Sequence, residues 1–330
     1  MAQPKKTLSP PGTDLIRREL RELERILREQ SRSEVRLLME VADHILESGG
    51  KRFRPAVLLL SAKLCGYSGP RAVAYAAAVE YAHTSTLLHD DVVDEALTRR
   101  GRPSANGIWG NQASVLVGDY LLFRAFYLLI ENEDPRIMKL VNSVATQMAE
   151  GEAFQLTRKR NVKLSEAEYF RIITDKTAKL ISISCRIGAI LGRATAKREH
   201  ALGEYGFHLG LAFQLKDDAL DYAGDERAWG KKVGQDFSEG KMTLPLIWAF
   251  RNSSAADRKK LARLLAKPKR KAGDFKTALA FILRHGGLDY ALAKARSHAG
   301  RAKAQLQVFP DSPPKQALLD LADFVVARSV

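Results

Sequence analysis

Apolar residues recur at helical spacing almost from end to end of this chain. Ile16, Leu20, Leu23 and Leu27 stand at i, i+4, i+7 and i+11, one stripe of a helix for which Thr13 is a fitting N-cap. A second helix is predicted from about Ser33, ending at the Gly49-Gly50 pair. Pro55 to Leu64 opens a third, with proline in its first turn. Arg71 to Asp94 is Ala-rich and apolar nearly all round, the pattern of a helix buried inside a domain. Helices are further predicted over Leu116 to Ile130, Val141 to Leu156, Ser165 to Leu191, Lys197 to Tyr222 and Met242 to Phe250, with three more between Asp257 and Val330. Alternating runs bounded by turn residues, a fixed-period repeat and a linker-like shift in composition are all missing. The expectation is a flexible Pro/Lys tail over 1–12 and one all-α domain over 13–330, a helical bundle around a deep central cavity.

Composition narrows the class. At 330 residues, 45% hydrophobic and 28% charged, the chain can bury about three quarters of its surface, which excludes global disorder. Two cysteines, Cys65 and Cys185, cannot form a disulfide framework and fit a reducing, cytoplasmic setting. The longest uncharged run, Pro103 to Gly118, is polar and Gly-bearing, and the N-terminus has no apolar core, so neither a membrane span nor a leader is expected. The net charge of +15 invites anionic partners: nucleic acid, a membrane or phosphorylated substrates. Fifteen Lys/Arg and three Asp/Glu fall between Arg251 and Lys303, so 15 − 3 = +12 of the excess sits there. A solvated helix face is the default for such a run. It lacks interleaved aromatics and the chain lacks nucleic-acid-binding motifs, so nucleic acid is not expected. Peripheral contact with an anionic membrane is the secondary expectation.

The chemistry lies elsewhere. Asp90-Asp91-Val92-Val93-Asp94 and Asp217-Asp218-Ala219-Leu220-Asp221 are both D-D-x-x-D. With 19 Asp in the chain, chance supplies roughly 0.06 such motifs. On a helix, i and i+4 share a face, so Asp90 projects with Asp94 and Asp217 with Asp221. Each motif ends an apolar helix, where carboxylates need compensation. Paired carboxylates with few histidines nearby and no thiolates suit Mg²⁺ rather than zinc, and Mg²⁺ favours completion by substrate phosphates. Lys51, Arg52 and Arg54 beside Gly49-Gly50, Arg99-Arg100 after the first motif, and Lys176, Lys231 and Lys241 are cations able to meet a diphosphate. Taken singly, each reads as surface charge; their clustering about the acidic motifs points to a site.

These residues resemble those of the trans-polyprenyl diphosphate synthase family, and among its members the long-chain bacterial enzymes of the octaprenyl diphosphate synthase kind. The resemblance runs from about Leu15 to Arg328 and is carried by GGKRFRP (Gly49 to Pro55), HTSTLLHDDVVDEALTRRGRPS (His83 to Ser104), GDYL (Gly118 to Leu121), DKTAKL (Asp175 to Leu180), FQLKDDALDYAGD (Phe213 to Asp225), GKKVGQDFSEGKMTLPL (Gly230 to Leu246) and FVVAR (Phe324 to Arg328). It implies the all-α isoprenoid-synthase fold, a homodimer, and stepwise addition of isopentenyl diphosphate to an allylic prenyl diphosphate. By position, it implies that Lys51, Arg54, His83 and Arg100 hold isopentenyl diphosphate. It gives the allylic diphosphate to Arg99, Lys176, Thr177, Gln214, Lys231 and Lys241. Several Mg²⁺ ions, bridged by diphosphate, would fall to Asp90, Asp94, Asp217 and, less directly, Asp221, with Asp91 and Asp218 behind them. Asp90, Asp94, Arg99, Lys176, Asp217 and Lys231 are then the residues closest to the chemistry.

In the same family, bulky residues just before the first motif shorten the product. Here Ser85 and Thr86 are small, as are Ala82 and Ala78 a turn or two further back, so a long product is expected, with Phe123, Phe126 or Tyr127 as an alternative floor. Farnesyl- or geranylgeranyl-length synthesis and a non-catalytic subunit of a heteromeric synthase are the alternatives. The subunit reading would predict loss of an aspartate motif, and both are present. Terpene and squalene synthases also use aspartate-rich helices but lack this combination with GGKRFRP and Arg99-Arg100.

Overall fold

The computed structural model describes residues 10–47, 52–99, 101–223, 233–267 and 270–328. The expected tail therefore lies almost wholly outside the described residues. A 3-10 turn over Thr13–Ile16 leads into α1 (Arg17–Gln30), followed by α2 (Arg36–Glu47), α3 (Phe53–Leu64) and α4 (Arg71–Val93). The predicted stripe is real: Ile16, Leu23 and Leu27 are fully buried and Leu20 packs beside them. α4 is the central helix, with Tyr75, Ala76, Ala77, Ala78 and Tyr81 inaccessible to solvent. Its small side chains let α3, α5 and α8 approach it closely.

α5 (Ala105–Glu131) starts at Ala105 rather than Leu116. Polar Asn106, Asn111 and Gln112 mask the period there, and the helix turns at Gly110, whose φ of 83° suits glycine alone. By length and composition α5 could cross a membrane, yet Val117, Leu121, Ala125 and Leu128 are buried in the core. α6 (Pro135–Arg158) also starts early, because the Asp134 carboxylate accepts from Arg136 N at 3.1 Å and Ile137 N at 3.3 Å, with Pro135 at the first position.

The helix expected to run unbroken from Ser165 to Leu191 is interrupted. A Ser165–Glu168 capping box starts α7 (Glu166–Ile173), a π turn occupies Thr174–Ala178, and α8 (Lys179–Leu191) continues. The wider π turn rotates the side chains that follow it, and Lys176 and Thr177 lie within it. α9 (Ala196–Ala223) carries the second aspartate motif. α10 (Gln235–Glu239) and α11 (Leu244–Arg251) come next. Four helices, not the three expected, then follow among the described residues: α12 (Ala255–Leu265), α13 (Ala272–Arg284), α14 (Gly287–Gln305) and α15 (Pro313–Ala327). Gly286, at φ 65°, divides α13 from α14. A two-residue antiparallel pair, Thr98–Arg99 with Arg102–Pro103, is the strand content of the described residues.

Two apolar clusters form the core. The larger draws on α1–α6, α8, the first half of α9, the second half of α14 and α15; the smaller joins α7, the second half of α9, α10–α13 and the first half of α14. Val93 and Asp94 at the C-terminal end of α4 and Gln214 and Asp218 in the last turns of α9 line a common cleft.

Candidate active site

That cleft is lined by Asp94 of α4, Glu152 of α6, Tyr169 of α7, Lys176 of the π turn, Asp218 of α9 and Lys241. The first aspartate motif contributes Asp94 to its lining and the second Asp218. Asp94 closes α4 as its C-cap, so the carboxylate leaves the helix at its rim. Its Oδ2 is 2.6 Å from Lys241 Nζ and its Oδ1 is 3.5 Å from Lys159 Nζ. Burial pushes the Asp94 carboxyl up, but Lys241, Lys176 and Lys159 outweigh it and hold the group below the ordinary carboxylate range. One turn back, Asp90 Oδ2 accepts from Lys176 Nζ at 3.1 Å, and Lys176 also donates to Glu152 Oε1. Burial alone would lower the Lys176 ammonium; Asp90 and Glu152 overcome it and keep the charge. Lys241 behaves alike, held charged against burial by Asp236, Asp94 and Glu239.

Asp91 and Arg99 form a fork between them. Arg99 Nε donates to Oδ1 and Oδ2 of Asp91 at 3.0 and 2.9 Å, and Nη2 to Oδ1 at 2.8 Å. Arg99, expected on the allylic diphosphate, is thus engaged by a carboxylate that is 3% exposed. Asp90 and Asp94 add to the field that keeps it charged.

Beneath the cleft runs a polar chain. Thr177 Oγ1 donates to Gln214 Oε1 at 2.8 Å, Gln214 Nε2 donates to Asp218 Oδ1 at 2.7 Å, and Tyr169 Oη donates to Asp218 Oδ2 at 2.6 Å. Burial, reinforced by Asp236, pushes the Asp218 carboxyl up to about 7. Thr177 and Gln214 therefore present to a substrate only what this chain leaves over. Asp217 pairs with Arg328 Nη2 at 2.6 Å, and the Arg328 guanidinium lies 4.0 Å over the Phe213 ring. Asp221 is 1% exposed and caps α10: its oxygens accept from Gln235 N at 3.2 Å and Asp236 N at 3.0 Å.

Arg54 sits half-buried in the first turn of α3, and His83 half-buried on α4. Arg52, adjacent in sequence, is structural: it bridges Glu24 and Glu80 and donates to the Leu46 carbonyl. Lys51, Arg100 and Lys231 lie outside the described residues. Ser85 is 1% exposed and Thr86 half-buried on the α4 turn before Asp90. Of the alternative floor residues, Phe123 and Tyr127 are 68% and 44% exposed and face away from the interior of the chain, because they share α5's outer face. Phe126 packs on the core.

Sequence alone gives no role to Glu152, Glu239, Lys159, Tyr169 or Arg328. Their significance comes from partners remote in the chain, although FVVAR already singled out the segment that ends in Arg328.

The donor set fits a hard divalent ion. Asp90 and Asp94 offer carboxylate oxygens, and each already faces a cation, an ammonium group. Among the described residues no three His, Cys, Asp or Glu side chains are grouped so as to cage an ion alone. Such a site needs oxygens from water or substrate, the habit of Mg²⁺.

Comparison with known proteins agrees. Residues 35–282 match the family model of polyprenyl synthetase. The octaprenyl diphosphate synthase of Haemophilus influenzae is 42% identical over 301 residues, 91% of each chain. A polyprenyl synthase of Caulobacter crescentus, solved with calcium and isoprenyl diphosphate, superposes with a TM-score of 0.93 at 40% identity, covering 96% of this chain and 97% of that one. A decaprenyl diphosphate synthase of Rhodobacter capsulatus gives 0.91 at 42% identity, over 95% and 97%. The chain belongs to the polyprenyl synthetase family and has its all-α isoprenoid-synthase fold. It is a prenyltransferase.

Proposed function

We propose that this enzyme adds isopentenyl diphosphate repeatedly to an allylic prenyl diphosphate, giving a long all-trans polyprenyl diphosphate and inorganic diphosphate. The observation that carries the reading is that Asp90 and Asp94 pair with Lys176 and Lys241 at a cleft that Asp218 of the second motif also lines. Mg²⁺ held by Asp90, Asp94 and Asp217 would neutralise the departing diphosphate. Lys176 and Lys241 place fixed positive charge where negative charge develops on that leaving group. The isopentenyl double bond attacks the allylic carbocation, and a proton then leaves, for which the released diphosphate is a suitable base. Apolar walls beside the cleft, including Leu164, Ile172 and Met242, limit water near the cation. The H. influenzae and R. capsulatus relatives carry long-chain names, which supports the long product. So do the small Ser85 and Thr86. Turnover of farnesyl diphosphate and isopentenyl diphosphate with Mg²⁺, followed as diphosphate release, tests the assignment; no turnover with any allylic primer would overturn it.

A cytoplasmic homodimer completes the reading. Leu116, Phe123, Tyr127 and Ile130 form an exposed apolar row on α5, 44–68% accessible, suited to a second copy. Sedimentation of a Phe123→Ser, Ile130→Ser variant as a dimer would count against that surface. For membrane contact, the support is α12, where Arg258, Lys259, Lys260 and Arg263 are exposed. Liposome sedimentation independent of anionic lipid would remove it.

A further inference from the structure

Two lysines that reach the first aspartate motif, Lys176 and Lys241, are each shared with a glutamate. Lys176 lies between Asp90 and Glu152. Lys241 lies between Asp94, at 2.6 Å, and Glu239 Oε2, at 2.7 Å. The arrangement is built twice from unrelated elements, since Glu152 stands on α6 and Glu239 at the end of α10. Both glutamates are largely shielded, with side chains 29% and 13% exposed. Glu239 and Lys241 meet because Gly240 turns at φ 87° between them; a Cβ there would stand 2.8 Å from Arg160 Cγ.

The sharing has a consequence once a divalent ion engages the aspartates. Asp90 and Asp94 then turn their oxygens to the metal, and a lysine held by aspartate alone would be released on its flexible four-carbon stem. A lysine that also holds a glutamate stays at the rim, with donors left over, since an ammonium has three. We propose that Glu152 and Glu239 are positioning residues for the allylic diphosphate, keeping Lys176 and Lys241 at the mouth in both the empty and the loaded site. The proposal rests on the prenyltransferase reading above. It gives the glutamates no contact with substrate; they act through the lysines.

The test compares wild type with Glu152→Gln, Glu239→Gln and Glu152→Asp. Steady-state constants are measured for each substrate at saturating Mg²⁺, and calorimetry measures inorganic diphosphate binding with Ca²⁺ present. Each Gln variant should raise the allylic KM about three- to tenfold and weaken inorganic diphosphate by a similar factor. The isopentenyl KM should hold within about twofold and Tm within about 2 °C. Glu152→Asp, which keeps the charge on a shorter arm, should recover part of the loss and serves as the comparison if an amide is not tolerated. Unchanged constants would overturn the proposal, as would a parallel loss in both substrates together with Tm, which marks a merely structural bridge. Failure of the prenyltransferase reading would show separately, as absence of wild-type turnover with intact diphosphate binding.

Discussion

Replacing Tyr169 with Phe removes one oxygen from beneath the cleft and leaves the ring, 2% exposed and edge-on to Phe170 at 5.6 Å, in place. The lost contact is the 2.6 Å donation to Asp218 Oδ2. A hydrogen bond to a charged group contributes about 1.5–3 kcal/mol. Asp218 keeps its bond from Gln214 at 2.7 Å, so the lower part of that range applies, about 1.5–2 kcal/mol. Over 330 residues the unfolding entropy is about 0.7 kcal/mol/K, which turns that loss into about 2–3 °C in Tm. The measurement belongs at pH 8, where the Asp218 carboxyl, pushed up to about 7, is mostly ionised. Because Asp218 anchors Gln214 and, through it, Thr177, kcat/KM for the allylic substrate should fall about tenfold. Scanning calorimetry and initial rates on the same preparation check both. An unchanged Tm would refute the energetic argument. A lowered Tm with intact kcat/KM would refute the link from Tyr169 to the substrate site.

Asp91→Ala should cost about 3 kcal/mol by stranding the Arg99 guanidinium, and Arg99→Ala a comparable amount, with the double variant costing less than the sum; additive losses in urea titrations would contradict the pair. Thr86→Phe should shift the product distribution to shorter chains, and Ser85→Phe should do so at a stability cost of about 1–3 kcal/mol because Ser85 is 1% exposed; an unchanged distribution in both would sink the wall assignment. His298 is held at about 4 by burial, with His208, Arg301 and Lys294 adding, and its Nδ1 lies 3.1 Å from His208 Nδ1. An unfolded His takes its proton near pH 6.5, so below that pH the unfolded chain binds protons the folded one refuses. Stability is therefore complete above pH 6.5 and declines towards pH 4, by up to about 2 kcal/mol at pH 5. Urea midpoints for wild type and His298→Gln at pH 7.5 and 5.0 check this, and an equal decline in both would refute it.

Much of the site was legible because its chemistry is local. D-D-x-x-D places two carboxylates on one helical face whatever surrounds it, and the apolar runs before Asp90 and Asp217 announce helix ends at an interior. The Ile16 to Leu27 stripe and the all-round apolar Arg71 to Asp94 segment were equally direct. What escaped depends on tertiary pairing. Arg52 and Arg54 look alike in GGKRFRP, yet Glu24 and Glu80 take the first into the scaffold. Arg99 reads as a free cation until the chain folds it onto Asp91. The π turn at Thr174–Ala178 leaves no mark on an apolar period that holds on both sides of it. Glu152 and Glu239 were invisible for the same reason: their meaning lies in lysines reached from other helices.

On the proposed reading, the two aspartate motifs and their lysines drive repeated prenyl transfer, and the small Ser85 and Thr86 allow a long product. Mass spectrometry of the dephosphorylated products, after exhaustive reaction of farnesyl diphosphate with excess isopentenyl diphosphate and Mg²⁺, tests it most directly. A main product well beyond the geranylgeranyl length is expected. A main product that stops at the farnesyl or geranylgeranyl length would contradict it.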